Sequence, residues 1–229
     1  MAYQLEFADF ANYAGMFASG AATTLALTAI STALGVSLGV AGAAGRDSHR
    51  AWLRSVVGGY VEAIRNTPFI VQLFFVFFGL PALGIHLSEY VAAIIAMTLN
   101  LGAYSIEIIR AGIAAVPKGH HEAAASLAMS RKEVFRHIVL PQALAKVFPA
   151  LTSQIVITML GSAVVSQISV PDLTYAASYI ESRNFRAFET CFLVTASYLA
   201  LALVLRAALN AAGKRLLMPA ARANGSRAR

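Results

Sequence analysis

The sequence predicts an all-α integral membrane fold of about five transmembrane helices with a polar loop between the third and fourth. Three observations carry that expectation. Charged residues are 13% of the 229-residue chain, against roughly 25% in a soluble domain, and mean hydropathy is +0.66. Apolar runs recur at the length of about 20 residues that a bilayer core demands. Lys and Arg gather in alternate connections between those runs, as the positive-inside rule requires.

The first span is expected near 17–42, inside a stretch, 10–45, without a charged residue. It holds Gly35-Val36-Ser37-Leu38-Gly39, a small-xxx-small pair that lets helices approach closely. The second, near 66–85, opens on Arg65-Asn66-Thr67-Pro68, with Thr67 placed to cap and Pro68 at the first helical position. The apolar stretch 52–64 is expected to lengthen it. The third lies near 90–110, the fourth near 147–168 and the fifth near 189–209. Residues 1–14 are read as an extracytoplasmic segment, 15–210 as one transmembrane domain and 211–229 as a disordered cytoplasmic tail.

Arg46, Arg50, Arg54 and Arg65 lie between the first two spans; Arg110, Lys118, Arg131, Lys132, Arg136 and Lys146 lie between the third and fourth. The loop 81–89 has no Lys or Arg, and in the loop 169–189 Arg183 and Arg186 are offset by Asp172, Glu181 and Glu189. This split puts the N-terminus outside and the C-terminus inside. The outer charges are read either as solvated or as facing an external partner.

Several function classes drop out. Cys191 is the sole cysteine, so it forms no intrachain disulfide, and no Cys/His spacing suits zinc. The +7 net charge is spread by topology and not over a basic, aromatic-interleaved surface, which argues against nucleic acid. Glu6 and Asp9 precede any basic residue, unlike a cleaved signal peptide. There is no nucleophile–base constellation of an enzyme and no G-x-x-x-x-G-K-[ST] phosphate loop. No internal repeat supports a self-sufficient secondary transporter.

The excursion 117–141 has helix signals of its own. Pro117-Lys118-Gly119 breaks the third helix. Glu122-Ala123-Ala124 opens an alanine-rich helix with its acid near the N-terminus. Ser130-Arg131-Lys132-Glu133 is a capping box for a second. Leu140-Pro141 is expected to end or kink it. The two meet at a knuckle near Ala128–Ser130. Local physics allows two roles: docking a soluble partner, or lying on anionic lipid through Arg131, Lys132 and Arg136.

Ionisable and polar groups within spans are functional candidates. Glu107 and Arg110 have the i,i+3 spacing of a structural ion pair at the membrane boundary. Gln72, Asn100 and Tyr104, with the four-residue stripe Gln154, Thr158 and Ser162, are candidates for a translocation path or for interhelical hydrogen bonds. Such amides and hydroxyls suit the ammonium and carboxylate of an amino acid. His120 and His121 are read as solvated loop residues.

Glu122-Ala123-Ala124 through Ala128, followed by Ile138-Val139-Leu140-Pro141, resembles the EAA loop of ATP-binding-cassette importer permeases. The stretches Tyr60-Val61-Glu62-Ala63-Ile64-Arg65-Asn66-Thr67-Pro68, Leu99-Asn100-Leu101-Gly102-Ala103-Tyr104 and Val170-Pro171-Asp172-Leu173 resemble the polar amino acid uptake subfamily, so the likeness spans about 15–210. The resemblance implies a type I importer transmembrane domain in a bacterial inner membrane. Glu122, Ala123, Ala124, Ala128, Ser130, Glu133, Leu140 and Pro141 would dock a cytoplasmic ATP-binding subunit dimer. It implies a second permease chain and an extracytoplasmic substrate-binding protein, with no cofactor on this chain because the partner subunit binds ATP. Two positions depart from the family. Ala128 stands where glycine is usual. Leu160-Gly161-Ser162-Ala163-Val164 replaces a Lys-Asp-Thr-Ser-Leu-like stretch, which favours a paralogous partner permease or a less charged cargo. The alternative cargo is a small solute that is not an amino acid.

Overall fold

In a computed structural model of the chain, residues 5–225 are described, and they are helical with no strand among them. A 3-10 turn, Ala8–Tyr13, leads into α1, Ala14–Arg46. The buried residues of α1 include Gly20, Thr24, Leu27, Thr28, Ser31, Gly35, Gly39 and Gly42, one stripe at helical spacing. The stripe's later part meets α4, Glu89–Ala114. A Cβ at Gly35 would stand 3.1 Å from Leu101 Cβ, and one at Gly39 2.4 Å from Ser105 Cβ. The contacts advance together along both helices, so α1 and α4 run parallel. Lipid removes the hydrophobic drive between helices, so close backbone approach and dispersion hold this seam. The Gly35/Gly39 pair is a packing device here, not a lipid-facing one.

The second crossing differs from the expectation. The stretch 52–64 does not continue it as one straight helix: α2, Ala51–Arg65, is bent by 111° from the segment Phe69–Leu83. α2 lies against α4, where Tyr60 Oη donates to the Leu99 carbonyl at 2.6 Å. Thr67 does not cap α3, Phe69–Phe74; Pro68 holds the N-cap position. Thr67 Oγ1 instead donates back to Ala63 O at 2.8 Å, closing the end of α2. A preproline residue is held out of the helical region, which places the break here. After α3 the chain passes through a π-helical turn, Phe75–Gly79, and a 3-10 turn, Leu80–Leu83. Among the described residues, four helices are long and apolar enough to span a bilayer, and the count reaches five when the bent pair Ala51–Arg65 and Phe69–Leu83 is taken as one broken span.

Beyond α4 come α5, Lys118–Ser126, and α6, Arg131–Val134. A π-helical turn, Phe135–Val139, then feeds α7, Leu140–Gly161. Pro141 does not end the helix, which runs on from Lys132 to Ile168. The wider turn just ahead of it, with Leu140 N donating to Phe135 O, shifts the hydrogen-bond ladder where the proline has no N–H to give. A 3-10 turn, Ser162–Ile168, finishes this crossing.

The loop 169–189 is also more ordered than expected. Leu173–Asn184 forms α8, whose N-cap Asp172 accepts from Tyr175 N at 2.8 Å. The last helix, α9, runs from Ala187 to Gly225, so the expected disordered tail is helical as far as it is described; residues 1–4 and 226–229 lie outside the described residues. One core cluster gathers Leu27, Leu73, Met97, Val165 and Ile168 around α1, α3, α4 and the end of α7. A second, Ala43, Ile109 and Leu151, lies toward the end that carries the basic connections.

Ala128 sits between α5 and α6 at φ +53°, a left-handed conformation that costs an L-residue about 1–2 kcal/mol and glycine almost nothing. Ala128→Gly is expected to raise stability by up to about 1 kcal/mol, since glycine's larger unfolded-state entropy offsets part of the gain. Thermal unfolding of the detergent-solubilised protein checks it; an unchanged or lowered midpoint would refute the strain.

Candidate coupling surface and inner cavity

Two places gather the residues singled out in the sequence. The first is the knuckle between α5 and α6. α5 ends in a Schellman pattern: Met129 N donates to Ala124 O at 3.2 Å across the left-handed Ala128. The capping box then forms in full. Ser130 N donates to Glu133 Oε2 at 2.8 Å, and Glu133 N donates to Ser130 Oγ at 3.4 Å. Because α5 begins at Lys118, Glu122 sits in the second turn and not at the N-terminus as expected. The helix dipole therefore adds little to it.

Glu122 and Ala123 are exposed, Ala124 is buried, and Leu127 stands 74% exposed at the tip. A concavity of about 660 Å³ separates α5 from the start of α7, lined by Ala123, Ala124, Leu127, His137, Ile138 and Pro141 among others. Beneath it Val116, Val139 and Ala143 pack with Ile113 and Val134. The Lys146 ammonium donates to the Ala115 carbonyl at the end of α4. The knuckle is thus a stiff, exposed, partly apolar projection rooted on two spans. Leu140 is half-buried at its base.

The second place is a cavity of about 400 Å³ beside the break between α2 and α3. Thr67, Pro68 and Phe69 come from the break, Asn100 and Tyr104 from α4, and Gln154, Ile157, Thr158 and Gly161 from α7. Four sequence candidates therefore meet: Asn100, Tyr104, Gln154 and Thr158. Gln72 and Ser162 stand outside this lining. The Gln72 amide donates to Ile64 O at 2.7 Å and Thr67 O at 3.0 Å, and its Oε1 accepts from Asn100 Nδ2 at 3.0 Å. It staples the bend to α4. Ser162 is fully buried and donates to Met159 O at 2.7 Å, where the helix tightens into its 3-10 turn.

Glu107 and Arg110 pair at 3.5 Å, and Arg65, missed in the sequence, joins them at 3.9 Å. The Arg65 guanidinium also covers the Tyr104 ring at 5.4 Å. The signal for it was present in Arg65-Asn66-Thr67-Pro68, which was read as the opening of a span and not as a corner that faces α4.

At the opposite end, Asp172 is fully buried and not a solvated charge. Tyr198 Oη on α9 donates to its Oδ2 at 3.2 Å, and Gly20 on α1 leaves room for its backbone. The Arg186 guanidinium bridges Glu6 and Glu189 there, tying the segment before α1 to the start of α9. Burial raises the Asp172 carboxyl from the ordinary 3.8 to about 6, with the Tyr175 N–H and Tyr198 hydroxyl pulling the other way. A raised folded pKa stabilises most below the unfolded value and loses that contribution as pH climbs through the folded one. Stability is expected to fall by roughly 3 kcal/mol between about pH 4 and 7 from this group. Asp172→Asn keeps an acceptor for Tyr175 and should flatten that fall in thermal unfolding curves; an unchanged slope would refute the assignment.

The chain resembles known proteins over nearly its full length. It is 39% identical over 161 residues, 70% of this chain and 69% of the relative, to the L-cystine transport system permease protein TcyB of Bacillus subtilis (strain 168). It is 32% identical over 200 residues, 86% of this chain and 91% of the relative, to the glutamine transport system permease protein GlnP of Escherichia coli (strain K12). A crystal structure of an amino acid ABC transporter with histidines superposes with a TM-score of 0.84 at 35% identity, over 93% of this chain and 100% of that one. Residues 31–217 match the model of the binding-protein-dependent transport system inner membrane component. With its membrane-length helices, the chain belongs to that family, the multi-pass inner membrane components of binding-protein-dependent transport systems.

Proposed function

We propose that this chain is a permease subunit of an ATP-driven importer, that it carries a polar amino acid or a close relative, and that α5 is where the motor pushes. The knuckle carries the reading: a helix with Glu122 and Ala123 exposed, ended by the Schellman turn and followed by a complete capping box, standing on the ends of α4 and α7. A short helix held this way passes a partner's movement to two spans with little lost to bending. ATP is bound and hydrolysed on a cytoplasmic ATP-binding subunit dimer, and the chain itself contributes no catalytic group.

The Arg- and Lys-rich connections face the cytoplasm, so the N-terminus is outside and the C-terminus inside. The docking set is Glu122, Ala123, Ala124, Ala128, Ser130, Glu133, Leu140 and Pro141. Asn100, Tyr104, Gln154 and Thr158 line the route, and Gln72 and Ser162 hold its walls. A paralogous permease completes the path, and an extracytoplasmic binding protein delivers cargo to the end that carries α8. The relatives named for glutamine and cystine transport support a polar amino acid as the cargo class.

The test is uptake into vesicles that hold this chain together with a partner permease, an ATP-binding subunit and a binding protein. Accumulation of a polar amino acid is expected only with ATP on the side of α5. Uptake by this chain alone, or uptake indifferent to ATP, would sink the proposal.

A further inference from the structure

We infer that one anionic phospholipid is held along α2, with its phosphate at Arg50 and Arg54 and one acyl chain lying on Trp52, Val56, Gly59 and Ala63 and entering a groove between α2, α3 and α4. The groove shares only Thr67 with the lining of the polar cavity, and the inference does not depend on the import reading.

The headgroup end is the turn between α1 and α2. α1 stops at Arg46 and the chain turns back through residues 47–50. Leu53 and Val57 then stand beside Gly45, Val57 reaches Gly42, and Tyr60 Oη stands with Leu38 against Gly102. Rising numbers on α2 meet falling numbers on α1, so α2 runs back along a membrane-length helix. The turn carries Arg46, His49, Arg50 and Arg54 against one acid, Asp47. Among the described residues, no carboxylate pairs with the three arginines. Arg54 Nη1 donates to the Ser48 carbonyl at 2.8 Å and Arg46 Nη1 to the Arg54 carbonyl at 3.4 Å. Gly58 leaves room for the Arg46 guanidinium, since a Cβ there would stand 2.4 Å from its Nη1. These contacts hold two guanidinium groups at the turn and leave N–H donors over for a phosphate.

From the turn an apolar stripe follows the open face of α2. Trp52 and Val56 are each 62% exposed, Gly59 and Ala63 are exposed, and the four recur at helical spacing. Tryptophan suits the boundary between membrane and water, where the stripe begins. A Cβ at Gly59 would meet nothing within 4 Å, so no other part of the chain covers the stripe there. From Trp52 to Ala63 the stripe runs about 16 Å, close to the about 15 Å of hydrocarbon in one leaflet. At Ala63 it enters a groove of about 430 Å³, lined by Val71, Phe75, Val76, Ile95 and Leu99 among others. The polar side chains of that lining are turned onto backbone: Thr67 Oγ1 donates to Ala63 O at 2.8 Å and the Gln72 amide to Ile64 O at 2.7 Å. The groove therefore offers hydrocarbon contact, and its far wall is the membrane-length α4. Arginines at the turn, an aromatic ring at the boundary and apolar surface beyond repeat the order of phosphate, glycerol and acyl chain in an anionic phospholipid. A soluble phosphate satisfies the turn alone, and a neutral lipid only the stripe.

Trp52 is the chain's one tryptophan, so its fluorescence reads the lipid beside it. The full chain is reconstituted in vesicles of phosphatidylcholine and phosphatidylglycerol, with one or the other lipid brominated on its acyl chains, and quenching of Trp52 gives the relative occupancy of the two. Phosphatidylglycerol is expected to be about fivefold or more favoured. Arg50→Gln with Arg54→Gln should bring the preference to about one, and the matching pair of lysine substitutions should keep most of it. Ala63→Phe fills the mouth of the groove and should lower the preference about twofold or more. Equal quenching by the two lipids in the unaltered chain overturns the inference. An unchanged preference in Ala63→Phe also overturns it, because attraction of mobile lipid to surface charge would then account for the result. If the double glutamine variant does not insert, the unaltered chain and Ala63→Phe still decide. In the assembled permease–ATPase complex, a photoactivatable phosphatidylglycerol is expected to cross-link within residues 52–76. Cross-links lost on assembly would mean that a protein covers this face, and would overturn the lipid as its occupant.

Discussion

Glu122→Lys is expected to leave the chain inserted and folded and to cut ATP-dependent uptake by more than about tenfold, the equivalent of at least about 1.4 kcal/mol of lost coupling. Glu122 is exposed on α5, outside the membrane-length helices, and its backbone carbonyl accepts from Ser126 Oγ at 3.1 Å whichever side chain it carries. Reversing its charge therefore spares the fold and acts on the surface presented to a partner. Like charges brought together across an interface cost several kcal/mol. Glu122→Gln, which loses the charge without reversing it, should fall between. The measurement is uptake in reconstituted vesicles together with the basal ATPase rate. Unchanged ATP-driven uptake in Glu122→Lys would rule the docking role out, and loss of the protein from the membrane would show a folding role instead.

Gly39→Leu is expected to cost the most stability of any single change considered, about 3 kcal/mol or more. A Cβ at position 39 would already stand 2.4 Å from Ser105 Cβ and 3.2 Å from the Ser105 carbonyl carbon. The obstruction includes α4 backbone, so no rotamer change relieves it and the two helices must separate. Separation also strips close contacts from Gly35 and Gly42 on the same stripe. Gly59→Leu is the control, since a Cβ there meets nothing within 4 Å. Thermal unfolding and the yield of monodisperse protein should separate the two variants. Equal behaviour would mean that the α1–α4 seam does not depend on close approach.

Much of the architecture was legible because the bilayer constrains it so tightly. An apolar run long enough to span must be a helix, since every backbone polar group in hydrocarbon has to be satisfied internally. That rule located α1, α4, α7 and α9 from composition alone. The knuckle was legible because its signals are local: a capping box needs only Ser130 and Glu133, three residues apart. The i,i+3 pair Glu107 and Arg110 was legible for the same reason.

The misreadings share a cause. Thr67-Pro68 marks a helix boundary, but whether it starts a span or bends one by 111° depends on Gln72 and Asn100, which are 28 residues apart in the chain. Asp172 was read either as a solvated loop charge or as facing an external partner, and only its neighbours Gly20 and Tyr198 make it the buried cap of α8. Ser162 completed a four-residue stripe on paper, yet the tightening of the helix at its end turns it onto Met159. The Arg65 partner of Glu107 lies 42 residues away, beyond any local pattern.

The sequence by itself determined that the chain crosses a membrane, which ends are basic, and where an exposed helical knuckle breaks the apolar pattern, because hydropathy, charge and capping are properties of short stretches. Only the tertiary structure decided which polar residues share a cavity and that no charged side chain lines it. Those facts depend on the relative placement of α4, α7 and the α2–α3 break. That placement is set by contacts such as Gly39 on Ser105 and Gly112 on Ala143, between residues far apart in the chain.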